Sequence, residues 1–247
     1  MKQDLSVLLL AGTNEGAQIN ERLDDLGVPF WTSLAGRTLN PSRLLGEVLP
    51  HGFDEFGGMS DFIQAHGVNV VIDATHPFAA QISHKAAEIC NQHGIDYLRF
   101  DRPAWRKQSE DNWIEVPYLK RAAEACENYQ RIFLTIGRQE VGAFEALEGK
   151  HFLLRSIEPV SFQPVRGTVE YIQERGPFLL DDEMALLTNH EIDVVVSKNS
   201  GGMATYAKIG AARELGVPVI MVDRPAGPDG QVFSSIEDLF NHPSLCV

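Results

Sequence analysis

The residues best suited to chemistry in this chain stand in four short polar clusters: Ala11-Gly12-Thr13-Asn14-Glu15-Gly16, Asp73-Ala74-Thr75-His76-Pro77, Gly137-Arg138-Gln139 and Ser197-Lys198-Asn199-Ser200-Gly201-Gly202. The first has the composition of a phosphate turn, in which backbone N–H groups and a helix dipole face an anion. It is not G-x-G-x-x-G, because position 14 is Asn, and no Gly-Lys-Ser/Thr of a P-loop comes after it. The second cluster offers an imidazole and a hydroxyl. The third offers a guanidinium suited to bidentate carboxylate contact, and the fourth an ammonium among small polar residues. A structural role competes at Thr75, which can cap a following helix with Pro77 in its first turn.

Each cluster ends an apolar run, and together the runs prescribe an α/β chain. Residues 5–10, 68–72, 131–136 and 192–196 read as buried strands, as do 30–35, 44–49, 96–100, 152–157 and 217–222. Helical spacing fills the gaps at 17–26, 59–66, 78–93, 118–129, 141–147, 181–190 and 203–215, with Gly27 and Gly94 as stops. Residues 158–180 hold Pro159, Pro164, Gly167, Gly176 and Pro177 and read mostly as loop. The polar stretch 107–112 has no periodicity, which places a domain boundary there and divides the chain into 1–108 and 109–247. The expected fold is α/β with two Rossmann-like domains, mostly parallel sheets and an inter-domain cleft. In such sheets ligands lie beyond the carboxyl ends of the strands, where the four clusters fall.

Composition excludes several classes. The net charge of −13 disfavours nucleic acid or an anionic membrane surface as partner, since both need a basic face. No apolar run approaches the length of a membrane helix. Three widely spaced cysteines, Cys90, Cys126 and Cys246, give neither a disulfide framework nor a thiolate zinc site and point to a reduced cytoplasmic location. No tyrosine has a lysine four residues on, as a short-chain dehydrogenase requires. No two histidines stand four apart on one helix, and no G-x-S-x-G elbow is present. Positive charge therefore has to be local, and Arg37, Arg102, Arg138, Lys198 and Arg224 stand where strands end. Arg37, in Gly36-Arg37-Thr38 after the second strand, suits a ribose 2′-phosphate, so the charge favours NADP over NAD.

Taken in order, Gly12-Thr13-x-Glu15, Gly36-Arg37-Thr38, Asp73-Ala74-Thr75-His76-Pro77-Phe78-Ala79, Arg99-Phe100-x-Arg102-Pro103-x-Trp105, Gly137-Arg138-Gln139 and Lys198-Asn199-Ser200-Gly201-Gly202 resemble the precorrin-6A reductase family of cobalamin biosynthesis. The family's first turn is commonly Gly-Gly-Thr with Ala after the Glu, a pattern from which Ala11 and Gly16 depart. The resemblance implies NADPH-dependent reduction of one carbon–carbon double bond in a tetrapyrrole, either precorrin-6A or cobalt-precorrin-6A. Cofactor contacts are expected from Gly12, Thr13, Asn14, Glu15, Gly36, Arg37, Thr38 and Thr75. Substrate contacts fall to Arg102, Gly137, Arg138, Asn199, Ser200, Gly201 and Arg224, and catalytic roles to His76 and Lys198. The proton is left open among His76, Lys198 and water. A non-catalytic NADP(H)-sensing protein on the same fold is the alternative.

Overall fold

The computed structural model describes residues 5–34, 44–49 and 51–246. The strands, in chain order, are β1 (Val7–Leu10), β2 (Phe30–Ser33), β3 (Glu47–Leu49), β4 (Val70–Asp73), β5 (Asp96–Phe100), β6 (Trp113–Val116), β7 (Arg131–Leu134), β8 (His151–Ser156), β9 (Thr168–Gln173), β10 (Val194–Lys198), β11 (Val219–Val222) and β12 (Val232–Phe233). The helices are α1 (Asn14–Asp25), α2 (Met59–His66), α3 (Ala80–His93), α4 (Leu119–Ala125), α5 (Leu180–Asn189), α6 (Ala207–Glu214) and α7 (Ile236–Phe240).

The chain divides into two compact units, Met1–Pro103 with Ala226–Val247, and Ala104–Pro225. In the first, the strand order β3-β2-β1-β4-β5-β12 is parallel throughout. Helices cover both faces, so the strands are apolar on both. Val7 and Leu9 pack with Ile19 and Leu23 of α1 and Leu239 of α7. Leu8 and Leu10 pack with Phe62 of α2 and Ile89 and Cys90 of α3. The second unit orders its strands β9-β8-β7-β10-β11-β6, again all parallel. Phe133, Leu153, Val195 and Met221 pack there with Leu187 of α5 and Ile209 of α6.

Counted from the opposite edge, the sixth place in each sheet goes to a strand from beyond a crossing. β6 comes after β5 in the chain but joins the second sheet, and β12 comes after β11 but joins the first. Both crossings read Asp-Arg-Pro-Ala, at Asp101-Arg102-Pro103-Ala104 and Asp223-Arg224-Pro225-Ala226. Proline denies the ladder a donor and favours an extended residue before it, which suits a chain leaving a sheet. The division at residue 108 is therefore corrected: the first crossing lies at Pro103, and Ala226–Val247 return to the first unit.

Two further expectations change. Residues 158–180, read mostly as loop, contain β9, which pairs with β8 from His151↔Thr168 to Ser156↔Gln173. It is an edge strand, largely exposed, so it lacks the apolar run that marks the buried ones. α3 starts at Ala80 instead of 78, and its N-terminus has no side-chain cap, so Thr75 does not cap it.

Candidate functional site

The first unit reverses its winding between β1 and β4, the place where open parallel sheets hold ligands. Gly12, at φ 141°, bends β1 toward α1, and nothing lies within 4 Å of the point where a Cβ would stand. Thr13 caps α1. Its hydroxyl accepts from Gly16 N at 3.0 Å and donates to Ala74 O at 2.9 Å, tying the two sides of the switch point together. A Cβ on Gly16 would stand 3.3 Å from Ala11 Cβ and 3.4 Å from Ala74 O, so glycine lets α1 begin close against the strand ends. Asn14 and Glu15 occupy the first turn of this 12-residue helix, whose dipole and unbonded N–H groups favour an anion. Arg102 Nη1 lies 2.6 Å from Glu15 Oε2.

Thr75 and His76 come directly after β4, on a buried polar support. The carboxylate of Asp73, buried beneath them, accepts from Thr75 N at 3.0 Å and from the Tyr97 hydroxyl at 2.6 Å. Burial, then the Asp73 charge, push the Tyr97 phenol well up, so it remains a donor. Thr75 Oγ1 lies 3.4 Å from Ser83 Oγ. His76 Nδ1 accepts from Phe78 N at 3.2 Å, a bond that requires Nδ1 to be unprotonated and leaves the proton of the neutral ring on Nε2. Thiol chemistry is disfavoured at Cys90 and Cys126, which are free but buried, and burial foremost pushes both up to about 12.

The second unit has its switch point between β7 and β10. There Thr135 Oγ1 donates to Val196 O at 2.8 Å, bridging the two strands as Thr13 does in the first unit. Gly137, at φ 82°, opens a turn Gly137-Arg138-Gln139-Glu140 that matches Gly12-Thr13-Asn14-Glu15 in its glycine, amide and acid. The continuation differs, because a 3-10 turn, Val141–Phe144, stands in place of a helix. The Lys198 ammonium is bound by the Glu140 carboxylate. Asn199 clasps the backbone of Trp105, with Oδ1 accepting from its N at 2.8 Å and Nδ2 donating to its O at 3.1 Å. Arg224 Nε donates to Asn199 O at 2.8 Å, and buried Ser200 donates its N–H to Lys198 O at 2.7 Å. Gly201 comes next, at φ 74°.

The structure thus gathers Gly12, Thr13, Asn14, Glu15, Thr75, His76 and Arg102 at the carboxyl ends of one sheet. It gathers Gly137, Arg138, Lys198, Asn199, Ser200, Gly201 and Arg224 at those of the other. Gly36, Arg37 and Thr38 lie outside the described residues. Arg102 and Arg224 are both engaged in holding strand-end turns of their own units, whereas half-buried Arg138 has no ion pair among the described residues. Sequence reasoning passed over Asp73, Tyr97 and Glu140. Glu140 was detectable, because Gly137-x-x-Glu140 repeats Gly12-x-x-Glu15. Among the described residues no group of three or more His, Cys, Asp or Glu is placed to hold a metal ion, and no helix is long and apolar enough to cross a membrane.

Comparison with known proteins agrees with this architecture. The family described as Precorrin-6x reductase CbiJ/CobK matches residues 6–243. The precorrin-6A reductase of Rhodococcus erythropolis is 43% identical over 225 residues, covering 90% of each chain. The cobalt-precorrin-6A reductase of Methanothermobacter thermautotrophicus is 31% identical over 265 residues, covering 98% of this chain and 84% of its own. A solved CobK precorrin-6A reductase superposes with a TM-score of 0.87 at 38% identity, covering 96% of this chain and 94% of its own. With a match that runs through both units from residue 6 to residue 243, the chain belongs to the precorrin-6x reductase family.

Proposed function

We propose that this chain reduces one carbon–carbon double bond of precorrin-6A with NADPH, the first unit holding the cofactor and the second the macrocycle. The observation that carries the assignment is the asymmetry of the two strand-end turns. Only the first continues into a full helix, with Gly12 open to an approaching phosphate and Gly16 admitting the helix to the strand ends. These residues fit a dinucleotide pyrophosphate. Arg37, from its sequence position, is assigned to the 2′-phosphate. The higher identity to a relative named for metal-free precorrin-6A than to one named for the cobalt form supports the metal-free substrate. Free cysteines, two buried and Cys246 exposed, suit a reduced, cytoplasmic setting.

NADPH, when bound, supplies a hydride; the chain supplies orientation and charge. Thr75 and His76 orient the bound ligand, with His76 Nε2–H as donor. Arg138 binds a macrocycle carboxylate, and the small residues Gly137, Asn199, Ser200 and Gly201 let the ring approach. Lys198 gives a proton to the carbon beside the one that receives hydride. Arg102 and Arg224 are reassigned to positioning, through Glu15 and Asn199.

The test is oxidation of NADPH, monitored at its nicotinamide absorption band, on adding precorrin-6A. Turnover with NADPH and markedly poorer turnover with NADH are expected. Binding of both ligands without turnover would instead favour a sensor, and equal efficiency of the two nucleotides would remove the role of Arg37. Raised salt is expected to weaken macrocycle binding, since Arg138 is partly exposed.

Gly16→Val probes the cofactor assignment. The added methyls meet Ala11 and Ala74 O, both fixed to strand ends, so α1 has to move outward. The NADPH Kd is expected to rise at least about tenfold, the equivalent of about 1.4 kcal/mol. Macrocycle affinity should hold. An unchanged NADPH Kd by fluorescence titration would remove the turn before α1 from the cofactor site.

A further inference from the structure

Leu179 and Met203 are the two most exposed large apolar side chains among the described residues, at 66% and 76%. They flank one hydrogen bond: Phe178 N, next to Leu179, donates to Ala204 O, next to Met203, at 3.0 Å. Gly176 makes that approach possible, because a Cβ there would stand 2.6 Å from Ala204 O. The loops so joined are the carboxyl-end connections of β9 and β10, and Met203 stands directly after Lys198-Asn199-Ser200-Gly201-Gly202. Neighbouring Leu180 is accounted for, since it packs against Gly210 of α6, 3.2 Å from where a Cβ would stand. Leu179 and Met203 stand open to solvent instead.

We infer that Leu179 and Met203 form an apolar ledge against which the ring system of the tetrapyrrole packs, its carboxylates reaching the basic residues at the same end of the sheet. This rests on the reading of the second unit as the macrocycle holder. A ring with an apolar body and an acidic rim matches an apolar ledge that shares the carboxyl end of the sheet with Lys198 and Arg138. A second copy of the chain fits less well. Two side chains bury at most a few hundred Å², far below the roughly 1,200 Å² of a stable protein interface. Methionine, unbranched and polarizable, adapts to a ring of irregular shape.

The experiment compares the parent, Met203→Leu and the double variant Leu179→Ser, Met203→Ser, each confirmed folded by circular dichroism. It measures the Kd of precorrin-6A by absorbance titration without NADPH, then steady-state kinetics. The double variant is expected to raise the macrocycle Kd and KM about tenfold, as loss of buried apolar area requires. Its kcat and NADPH KM should stay near the parent, and Met203→Leu, which keeps the apolar area but not the adaptable thioether, should fall between the parent and the double variant in macrocycle Kd. An unchanged macrocycle Kd in the double variant overturns the ledge while leaving the reductase reading intact. So does a dimeric parent that becomes monomeric in the double variant, which makes the ledge a subunit contact. A parent that neither binds nor reduces precorrin-6A overturns the functional reading and the ledge with it.

Discussion

Glu183→Ala is expected to lower the unfolding free energy of the second unit by about 3–5 kcal/mol, the range for stranding one partner of a buried ion pair. Glu183 and Arg155 form that pair, with side chains 2% and 5% exposed and a second contact from Arg155 Nη2 to Glu183 Oε2 at 2.8 Å. The guanidinium also lies 3.7 Å from the centroid of the Phe178 ring and 5.0 Å from that of Phe133, so it cannot turn to solvent without dismantling this packing. Nor can it shed its charge. Buried Lys208 adds to the demand: it donates to Thr205 O at 2.7 Å and lies 5.0 Å over the Trp105 ring. Burial, then the charge of Arg155, push its ammonium down to about 7, with Glu183 acting against them. Alanine at 183 therefore strands the Arg155 cation without a counter-ion in a dry site and removes the charge that opposes loss of the Lys208 proton. The double variant Arg155→Met, Glu183→Leu should recover most of the loss, because both desolvation costs go with the charges.

The lysine gives the same cluster a pH signature. Its folded value, about 7, lies below the unfolded 10.5, so the unfolded state binds the extra proton in that interval. Stability contributed by this site thus rises as pH rises from about 7 toward 10.5. Relative to Lys208→Met, the parent should gain on the order of 1 kcal/mol per pH unit over that range. Urea unfolding at both ends checks all of these outcomes. A Glu183→Ala loss under about 1 kcal/mol would mean that the pair is not the buried support described.

Legibility in the sequence tracks the range of the interactions involved. β4 announced itself, because Val70, Val71 and Ile72 are buried on both faces and need no partner to be recognised as strand. The polar turn after it was legible for the same reason. β9 was hidden, since an exposed edge strand between Pro164 and Pro177 carries loop composition on both flanks. The exchange of sixth strands is a matter of which distant strands pair, and no local pattern encodes that; the repeated Asp-Arg-Pro-Ala is its only trace. In the site, Gly12 and Thr13 could be read from spacing. The need for Gly16 depends on Ala74 O across the switch point, and the grip of Glu140 on Lys198 spans 58 positions. The cluster of Arg155, Glu183 and Lys208 was invisible, because scattered charges read as a solvated surface until the fold buries them.

Lys198→Met is expected to lower kcat by about a hundredfold or more, within the range of about 10² to 10⁴ that a positioned general acid contributes. The proposed reduction opens a π bond: one carbon takes hydride and its neighbour takes a proton. In the mechanism we propose, Lys198 Nζ delivers that proton and regains one from water. Two observations favour it over His76. The Glu140 carboxylate holds the lysine as an ammonium beside the turn assigned to the macrocycle, with only 12% of the lysine side chain exposed. His76 spends Nδ1 on Phe78 N, a bond that protonation of the ring at that nitrogen would break, which suits a neutral orienting donor better than an acid. Three variants separate the roles. Lys198→Arg keeps the charge but cannot give up a proton at neutral pH, so the macrocycle KM should stay near the parent while kcat remains low. His76→Asn should raise KM with kcat changed little. Glu140→Gln removes the charge that holds the ammonium in place and should lower kcat less than Lys198→Met does. Steady-state kinetics with NADPH and precorrin-6A, together with the solvent isotope effect on kcat, read each outcome. If Lys198→Met retains kcat within about threefold, below the smallest contribution expected of a general acid, the proton comes from elsewhere. A concurrent fall of kcat in His76→Asn would then reassign it to the imidazole.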